Sequence, residues 1–218
     1  MKSSGGVPAV DPQRARIAAA LVALCAERGY RETTQPQLLG RADVDLAAFH
    51  RHYENLEDCF CLTYQEFALA FFQRAAAAFA AASGWREQIR AVAYELLDFF
   101  KEDPERTRFV LIEILYAGPR AQLIREQSMQ MLYVLIDRGR EELADPASVP
   151  EELAATIGGG IYNRMRMQLT AEPDNPGRWD PIVPELMYSV IEPYLGTEAA
   201  LEELTMPRPR PPVLPAPR

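Results

Sequence analysis

The sequence contains few of the residues that build metal sites and disulfide frameworks. Its three cysteines, Cys25, Cys59 and Cys61, form an odd set without metal-ligand spacing. The last two stand two apart in a predicted helix, so their side chains point to different faces. The only histidines, His50 and His52, point away from each other in the same way. We therefore expect reduced thiols, with a redox-sensing role as the alternative, and no metal site.

Long apolar runs and catalytic motifs are equally scarce. No uncharged apolar stretch reaches the roughly 18 residues that a membrane span needs, and the start "MKSSGGVPAVDPQ" lacks the apolar core of a signal peptide. We expect a cytoplasmic protein with no membrane partner. No Gly-rich phosphate loop follows a strand and no Ser/His/Asp set is recognisable. The expectation is no enzyme, no catalytic residue and no cofactor.

Basic charge is also limited. The net charge of the chain is −8, and residues 1–60 carry 7 basic against 8 acidic side chains. Partners respond to local patches more than to net charge. A role in nucleic-acid binding must therefore depend on the geometry of particular residues.

Helical periodicity dominates the remaining pattern. Between Asp11 and Leu195 apolar residues recur at helical intervals, and no alternating strand pattern is long enough to identify a strand. The sequence predicts an all-α fold with helices at about 12–28, 35–41, 46–53, 56–82, 85–101, 104–116, 119–143, 149–170 and 181–192. Capping signals mark several starts: Thr34 with Gln37, Asp45, Asn55, Asp103 before Pro104, and Ser148 with Glu151. From Met206 onward the prolines predict a disordered tail.

The first three predicted helices have the layout of a helix-turn-helix. They lie within about 40 residues, and a four-residue turn joins the second to the third. On a helical wheel, one side of the third helix carries Leu46, Phe49 and Tyr53, the other carries Ala47, Ala48 and Arg51, and His50 and His52 lie on the flanks. Such an outward face could enter a major groove, where small side chains allow close approach and Arg51 binds guanine or phosphate. The alternative is an ordinary solvated face.

The stretch "ERGYRETTQPQLLGRADVDLAAFHRHYENLEDCF" resembles the N-terminal domain of the tetracycline-repressor (TetR) family of bacterial transcription regulators. The matching residues are Gly29, Tyr30, Thr33, Thr34, Ala42, Val44, Phe49, Arg51, His52, Tyr53, Asn55 and Glu57. The resemblance covers roughly residues 14–60. It implies a homodimer whose two recognition helices enter successive major grooves of a near-palindromic operator, with a C-terminal domain that binds a small molecule and dimerises.

This resemblance implies a division of the chain into four parts. Residues 1–11 form a flexible N-terminus, 12–56 a DNA-binding domain, 57–196 a ligand-binding and dimerisation domain, and 197–218 a short helix and Pro-rich tail. A long helix joins the two domains. The candidate DNA-binding residues are Thr34, Gln35, Arg41, Leu46, Ala47, Ala48, His50, Arg51 and His52.

Six positions depart from the family pattern: Asp43, Asp45, Leu46, Ala47, His50 and Leu56. Two phosphate contacts that the family pattern implies, from a tyrosine and a lysine, are lost at 50 and 56, and two carboxylates beside the recognition helix repel phosphate. Three outcomes stay open: modest DNA affinity, dependence on protonation of the two histidines, or compensation by Arg14, Arg16, Arg31 and Arg41.

Methionine and aromatic residues are frequent between residues 85 and 196. They predict helix-packing core, or an adaptable apolar cavity for a small hydrophobic effector. The candidate ligand-binding residues are Phe99, Phe100, Phe109, Glu113, Tyr116, Met131, Tyr162 and Met165. Arg164 and Arg166 are further possible polar anchors, with surface ion pairs as the alternative.

Gly158, Gly159 and Gly160 lie inside a predicted helix, where each glycine costs about 1 kcal/mol relative to alanine. A dimer interface that brings helices close together would compensate, and local unwinding beside a pocket is the alternative. The resemblance assigns dimerisation to the last two long helices, so we expect the glycines, Met187 and Ile191 at the interface. The sequence thus predicts a homodimeric, ligand-responsive repressor of transcription. The alternative is an all-α ligand-binding or adaptor protein that retains the three-helix module as structure only.

Overall fold

A computed structural model describes residues 11–171 and 179–209, and every regular element within these ranges is helical. The predicted flexible start and the end of the Pro-rich tail, residues 1–10 and 210–218, lie outside the described residues. The α-helices are α1 (Pro12–Arg28), α2 (Gln35–Ala42), α3 (Leu46–His50), α4 (Leu56–Ala81), α5 (Trp85–Glu102), α6 (Pro104–Leu111), α7 (Pro119–Asp137), α8 (Leu153–Ala171) and α9 (Ile182–Glu203). Short 3-10 turns cover Tyr30–Glu32, Glu113–Leu115, Arg138–Glu142 and Pro146–Ser148. The predicted all-α class is confirmed.

Local capping begins most of the early helices as predicted. The Gln37 side chain accepts the backbone N–H of Thr34 at 2.9 Å before α2. The Asp45 and Asn55 side chains accept the N–H groups of Ala48 and Asp58, at 2.6 and 2.9 Å, before α3 and α4. Each cap satisfies a first-turn donor that has no partner within the helix.

The α2–α3 turn is equally local. Asp43 adopts the left-handed conformation, with φ 52° and ψ 55°. Aspartate tolerates this region better than most residues because its short polar side chain can bond locally. The four-residue turn therefore forms as predicted.

The later helices depart from their predicted bounds, and α8 shows the reason. The predicted Ser148–Glu151 capping box is wrong, because α8 begins at Leu153 and Ser148 closes a 3-10 turn. The Arg140 guanidinium donates to the carbonyls of Pro146, Val149, Pro150 and Glu151. These bonds hold the loop outside a helix, and sequence periodicity could not reveal them.

Other boundaries also moved. α3 ends at His50 rather than 53, and α7 ends at Asp137 rather than 143, where a 3-10 turn follows it. α6 ends at Leu111 rather than 116, because the backbone leaves the helix at Ile112. α9 continues past Pro193 and breaks at Gly196, where φ is 82°, before a further helical segment to Glu203. The buried Glu203 carboxylate pairs with Arg86 and with Arg90, the latter at 3.2 Å, and so attaches this segment to α5.

Two hydrophobic clusters form the core. One lies among α4, α5 and α7–α9, and the other is built on α1–α3 and the start of α4. The second cluster also contains residues of α6, α7 and the connection between them: Phe109, Ile114, Ala117, Ala121 and Ile124. Packing around the three-helix unit therefore extends beyond the predicted boundary at residue 56.

Candidate DNA-binding face and ligand cavity

The third helix is held by Phe49 and Tyr53, which are both buried in the N-terminal cluster. This places Ala47, His50 and Arg51 on the exposed side, as expected. Ala48 was predicted on the outward side, but it is only 4% exposed and packs inward. Leu46 was placed on the core side of the wheel, yet it is 51% exposed. α3 has only five residues, so its buried side is set by contacts with neighbouring helices rather than by an ideal wheel.

The basic side chains at the end of α3 contact the start of α1. Arg51 donates to the Gln13 side-chain oxygen at 2.8 Å. The His52 Nε2 atom lies 3.4 Å from the same oxygen and 3.6 Å from an Asp11 carboxylate oxygen. The His50 Nδ1 atom lies 3.2 Å from the Tyr53 carbonyl. These contacts orient the outward side chains before any partner arrives.

Several of the other candidate basic groups have acidic partners. Arg41 pairs with Glu27 at 2.6 Å, and this pair holds the pKa of Glu27 below its usual value. Arg14 pairs with Glu66, and the Arg31 guanidinium lies 4.3 Å from the centre of the Tyr116 ring. Thr34 is exposed, and Gln35 is half-buried with its amide nitrogen unpartnered. The face therefore offers hydrogen-bonding and apolar groups, and carboxylates neutralise two of its candidate arginines, Arg14 and Arg41.

A cavity of about 150 Å³ lies within the C-terminal cluster. Among the predicted ligand residues, Phe99, Phe100, Tyr162 and Met165 line it. Aromatic side chains of α4, together with Trp179, complete much of the wall: Tyr64, Phe67, Phe71 and Phe72. The long helix α4 was predicted only to connect the two domains. Its length and aromatic content were the signal that it also forms a wall.

Four predicted ligand residues do not line this cavity. Phe109 stacks on Phe60 in the N-terminal cluster, with ring centres 4.0 Å apart. Tyr116 packs against Arg31 at the surface, and Met131 is 53% exposed. Glu113 and Tyr116 were predicted on the same helix as Phe109, but α6 ends at Leu111, before both of them. Met131 lies on the exposed side of α7.

Glu113, the fourth of these residues, joins two parts of the fold instead of anchoring a ligand. Its carboxylate is 2% exposed, accepts the Tyr30 backbone N–H at 2.8 Å and pairs with Arg108 at 3.0 Å. Tyr30 follows α1, whereas Glu113 follows α6, whose Leu111 lines the cavity. The carboxylate therefore connects the cavity wall to the turn between α1 and α2.

The possible polar anchors also lie elsewhere. Arg164 lies 3.8 Å from Glu185, and Arg166 donates to the Asn163 side chain at 3.0 Å. Neither arginine lines the cavity. Both make the surface contacts that were the alternative interpretation.

The predicted interface residues divide into two groups. Gly159 and Gly160 are exposed, with open space where a Cβ atom would stand. Gly158 is buried, and a Cβ atom there would overlap the Tyr133 ring. Met187 and Ile191 are 1% and 0% exposed within the chain, so they serve its own core and not a surface. Only the two exposed glycines stay candidates for contact with a second chain.

The three cysteines are free and buried. Burial raises the pKa of Cys25 and Cys59 to about 12, so both remain protonated thiols near neutral pH. Within the described ranges no three His, Cys, Asp or Glu side chains gather as a metal site would require. No helix found there is both long and apolar enough to cross a bilayer.

The architecture is that of an N-terminal helix-turn-helix unit joined through a long helix to a helical bundle with an apolar cavity. The sequence matches no protein-family model and no curated protein. Solved structures with the same fold include FadR, a fatty acid degradation regulator from Bacillus halodurans, with a TM-score of 0.68 and 15% identity over 84% of this chain and 96% of that one.

Two further solved structures share this fold. A TetR-family regulator from Syntrophomonas wolfei gives a TM-score of 0.69 at 12% identity, over 84% of this chain and 95% of that one. FadR from Bacillus subtilis, solved in complex with stearoyl-CoA, gives 0.64 at 16% identity, over 84% and 98%. The fold of this chain is therefore the TetR-family fold, as the resemblance implied.

Proposed function

We propose that the chain is a ligand-responsive transcriptional regulator. It acts in the cytoplasm as a homodimer, represses its target by binding a near-palindromic operator, and leaves the operator when a small hydrophobic effector binds. The observation that carries this proposal is the combination, in one chain, of an outward α3 on a helix-turn-helix and an apolar cavity connected to it. The division into a DNA-binding unit at 12–56 and a ligand-binding and dimerisation unit at 57–196 belongs to the same proposal.

The geometry favours a particular set of DNA contacts. Leu46 and Ala47 are exposed at the start of α3, where apolar groups can contact thymine methyls. Arg51 and His50 follow on the same exposed side. We assign the remaining contacts to Thr34, Gln35, Arg41 and His52. Ala48 is excluded because it is buried.

A homodimer would place two such helices in successive major grooves. The exposed pair Gly159 and Gly160 on α8 lets another helix approach closely, because no side chain stands in the way. The packed Gly158 offers no such surface. Symmetric pairing through α8 is therefore the arrangement that we propose.

Stearoyl-CoA is the ligand of the B. subtilis neighbour, so an acyl-CoA is one candidate effector here. Typical ligand pockets occupy about 300–1,000 Å³. The cavity of this chain, at about 150 Å³, is much smaller. An acyl-CoA effector would require the cavity to expand.

A gel-shift experiment with the DNA that flanks the chain's own gene tests the DNA-binding part of the proposal. We expect a retarded band that competes with unlabelled specific DNA and not with random DNA. If the folded protein binds both DNAs equally or neither, the adaptor alternative is supported. The ion pairs that neutralise Arg14 and Arg41 are the observation in favour of that alternative.

A further inference from the structure

We propose that the cavity binds a compact, uncharged aromatic compound, and neither an ion nor an acyl-CoA. This inference specifies the effector class and so depends on the proposed function for its regulatory meaning. Three properties of the cavity support it: the arrangement of its rings, the lack of charge in its described lining, and its size.

Aromatic rings form a continuous series along the wall. Phe71 contacts Phe72 and Phe99 with ring centres 5.2 and 5.6 Å apart. Phe100 continues the series to Phe99 and Trp179, at 6.2 and 6.1 Å. All these pairs are tilted or edge-to-face, the arrangements that aromatic pairs prefer over a face-to-face sandwich. A bound aromatic ring can add to this series with the same geometry.

An anion would lose its hydration in this cavity and would meet no charged side chain in the described lining. The Tyr162 hydroxyl already donates to the Leu111 carbonyl at 2.6 Å, and the Ser128 hydroxyl to the Ile124 carbonyl at 3.0 Å. A buried carboxylate without a hydrogen-bond donor is strongly disfavoured.

A cation is disfavoured for a different reason. Aromatic walls can attract cations through their ring faces. Here arginine guanidinium groups already occupy ring faces, Arg106 at 4.0 Å from the Phe99 centre and Arg125 at 4.6 Å from the Tyr162 centre. A cation in the cavity would share the Phe99 and Tyr162 rings with these arginines and would face two nearby positive charges.

The size of the cavity limits the ligand further. An apolar cavity of about 150 Å³, engineered in another protein, holds a single benzene molecule. The cavity here has the same volume. One ring with a short substituent fits, whereas a long acyl chain does not.

The decisive comparison uses three compounds that share one ring: toluene, benzoate and benzyltrimethylammonium, with stearoyl-CoA as a fourth. Isothermal titration calorimetry and melting temperature are measured on the full chain. We expect toluene to bind saturably and to raise the melting temperature, because a ligand that binds only the folded state stabilises it. The two ions should bind at least about 100-fold more weakly, and stearoyl-CoA should not bind in the cavity.

Matched variants locate the binding site. Ala93→Phe adds a ring on the lining, and Ala70→Phe adds the same ring on the exposed side of α4. Toluene affinity should fall at least about 10-fold in the first and stay unchanged in the second. If Ala93→Phe does not fold, Ala68→Leu provides a smaller filling change on the same lining.

The outcomes separate this inference from the proposed function. Toluene binding that Ala93→Phe removes supports the inference, even if it does not release DNA, in which case the regulatory proposal fails alone. Preferential binding of benzoate, benzyltrimethylammonium or stearoyl-CoA, abolished by the same variant, overturns the inference and leaves a ligand-responsive regulator intact. If none of the four compounds binds, the inference is overturned and the aromatic residues are packing only.

Discussion

At the scale of single residues, the start of α3 distinguishes this chain from a strongly basic DNA-binding helix. Leu46 is exposed, Asp45 lies beside it, and Arg51 is already bonded to Gln13. The first turn of α3 therefore supplies no positive charge, and specificity there must come from apolar contacts and from a few oriented polar groups such as Arg51. Two substitutions test this description.

Arg51→Ala should weaken operator binding by about 1–3 kcal/mol, because the guanidinium reaches base or phosphate groups. The side chain is exposed, so the free energy of unfolding should change by less than about 0.5 kcal/mol. Gln13→Ala is the matched control, because it removes the same internal hydrogen bond and keeps the arginine. If the two variants bind DNA equally well, Arg51 makes no DNA contact. Binding is measured by fluorescence anisotropy and stability by urea unfolding.

Asp45→Ser should strengthen operator binding with little change in stability. The carboxylate accepts the Ala48 N–H as the cap of α3, and serine can accept the same bond. Removing a negative charge that faces phosphate should raise affinity most at low salt, where electrostatics is least screened. A salt titration of DNA affinity checks this expectation. Weaker binding by a stably folded Asp45→Ser variant would contradict it.

At the scale of elements, α8 and the connection between α6 and α7 contain residues whose effect on stability depends on the neighbouring helices. α8 contains three consecutive glycines, of which one packs inside and two face outward. The α6–α7 connection holds a buried carboxylate that bonds to the turn after α1. On an isolated helix the three glycines would be equivalent, and each would only lower helix propensity.

Gly158→Ala and Gly159→Ala should change stability in opposite directions. At 158 the added methyl would overlap the Tyr133 ring, and such overpacking costs about 1–3 kcal/mol. At 159 the methyl would stand in open space, so the chain gains up to about 1 kcal/mol of helix propensity. Urea unfolding of both variants measures the difference. Equal stability of the two would mean that Tyr133 does not pack on α8.

Glu113→Ala should lower the free energy of unfolding by about 1–3 kcal/mol. The change leaves the buried Tyr30 N–H without an acceptor and Arg108 without its carboxylate. Glu105→Ala, at an exposed glutamate on the preceding helix α6, is the control and should cost less than about 0.5 kcal/mol. If both variants unfold at the same urea concentration, the carboxylate does not hold the two parts together.

At the scale of the whole molecule, the two hydrophobic clusters meet at α6, which packs against α1. Phe109 and Ile114 belong to the cluster around the helix-turn-helix, whereas Leu111, between them, belongs to the cluster around the cavity. A ligand that displaces Leu111 would therefore act on contacts of both clusters. If the ligand and DNA prefer different states of the protein, each changes the affinity of the protein for the other by the same factor.

The proposed homodimer predicts a mass of twice the 24.5 kDa of one chain in solution. Light scattering at micromolar concentration measures it. Gly159→Glu should favour the monomer, since it places a charged side chain on the outward surface of α8 where a partner helix would approach. Ala70→Glu, on an exposed position of α4, should leave the mass unchanged. A monomer in the unmodified chain would rule out simultaneous binding in two grooves.

Local chemistry in the sequence was enough to predict much of this fold. Thr34 with Gln37, Asp45 and Asn55 act on backbone groups within a few residues, so their caps form whatever the rest of the chain does. The left-handed turn at Asp43 and the apolar periodicity of α1 and α4 are local for the same reason. Of these residues, Thr34 and Asn55 also match the TetR-family pattern, whereas Asp43 and Asp45 depart from it.

Tertiary structure decided which residues face the cavity, the surface or another helix. Glu113 bonds to Tyr30 across 83 positions of sequence, and Arg140 holds a loop that periodicity assigned to a helix. Ala48 is buried and Leu46 exposed because neighbouring helices cover one side of a five-residue helix. Phe99 on α5 and Phe109 on α6 are alike in sequence, but Phe99 packs at the cavity and Phe109 stacks on Phe60 in the N-terminal cluster, because the two helices contact different neighbours. Such outcomes depend on contacts between distant segments, which exist only once the helices have packed together.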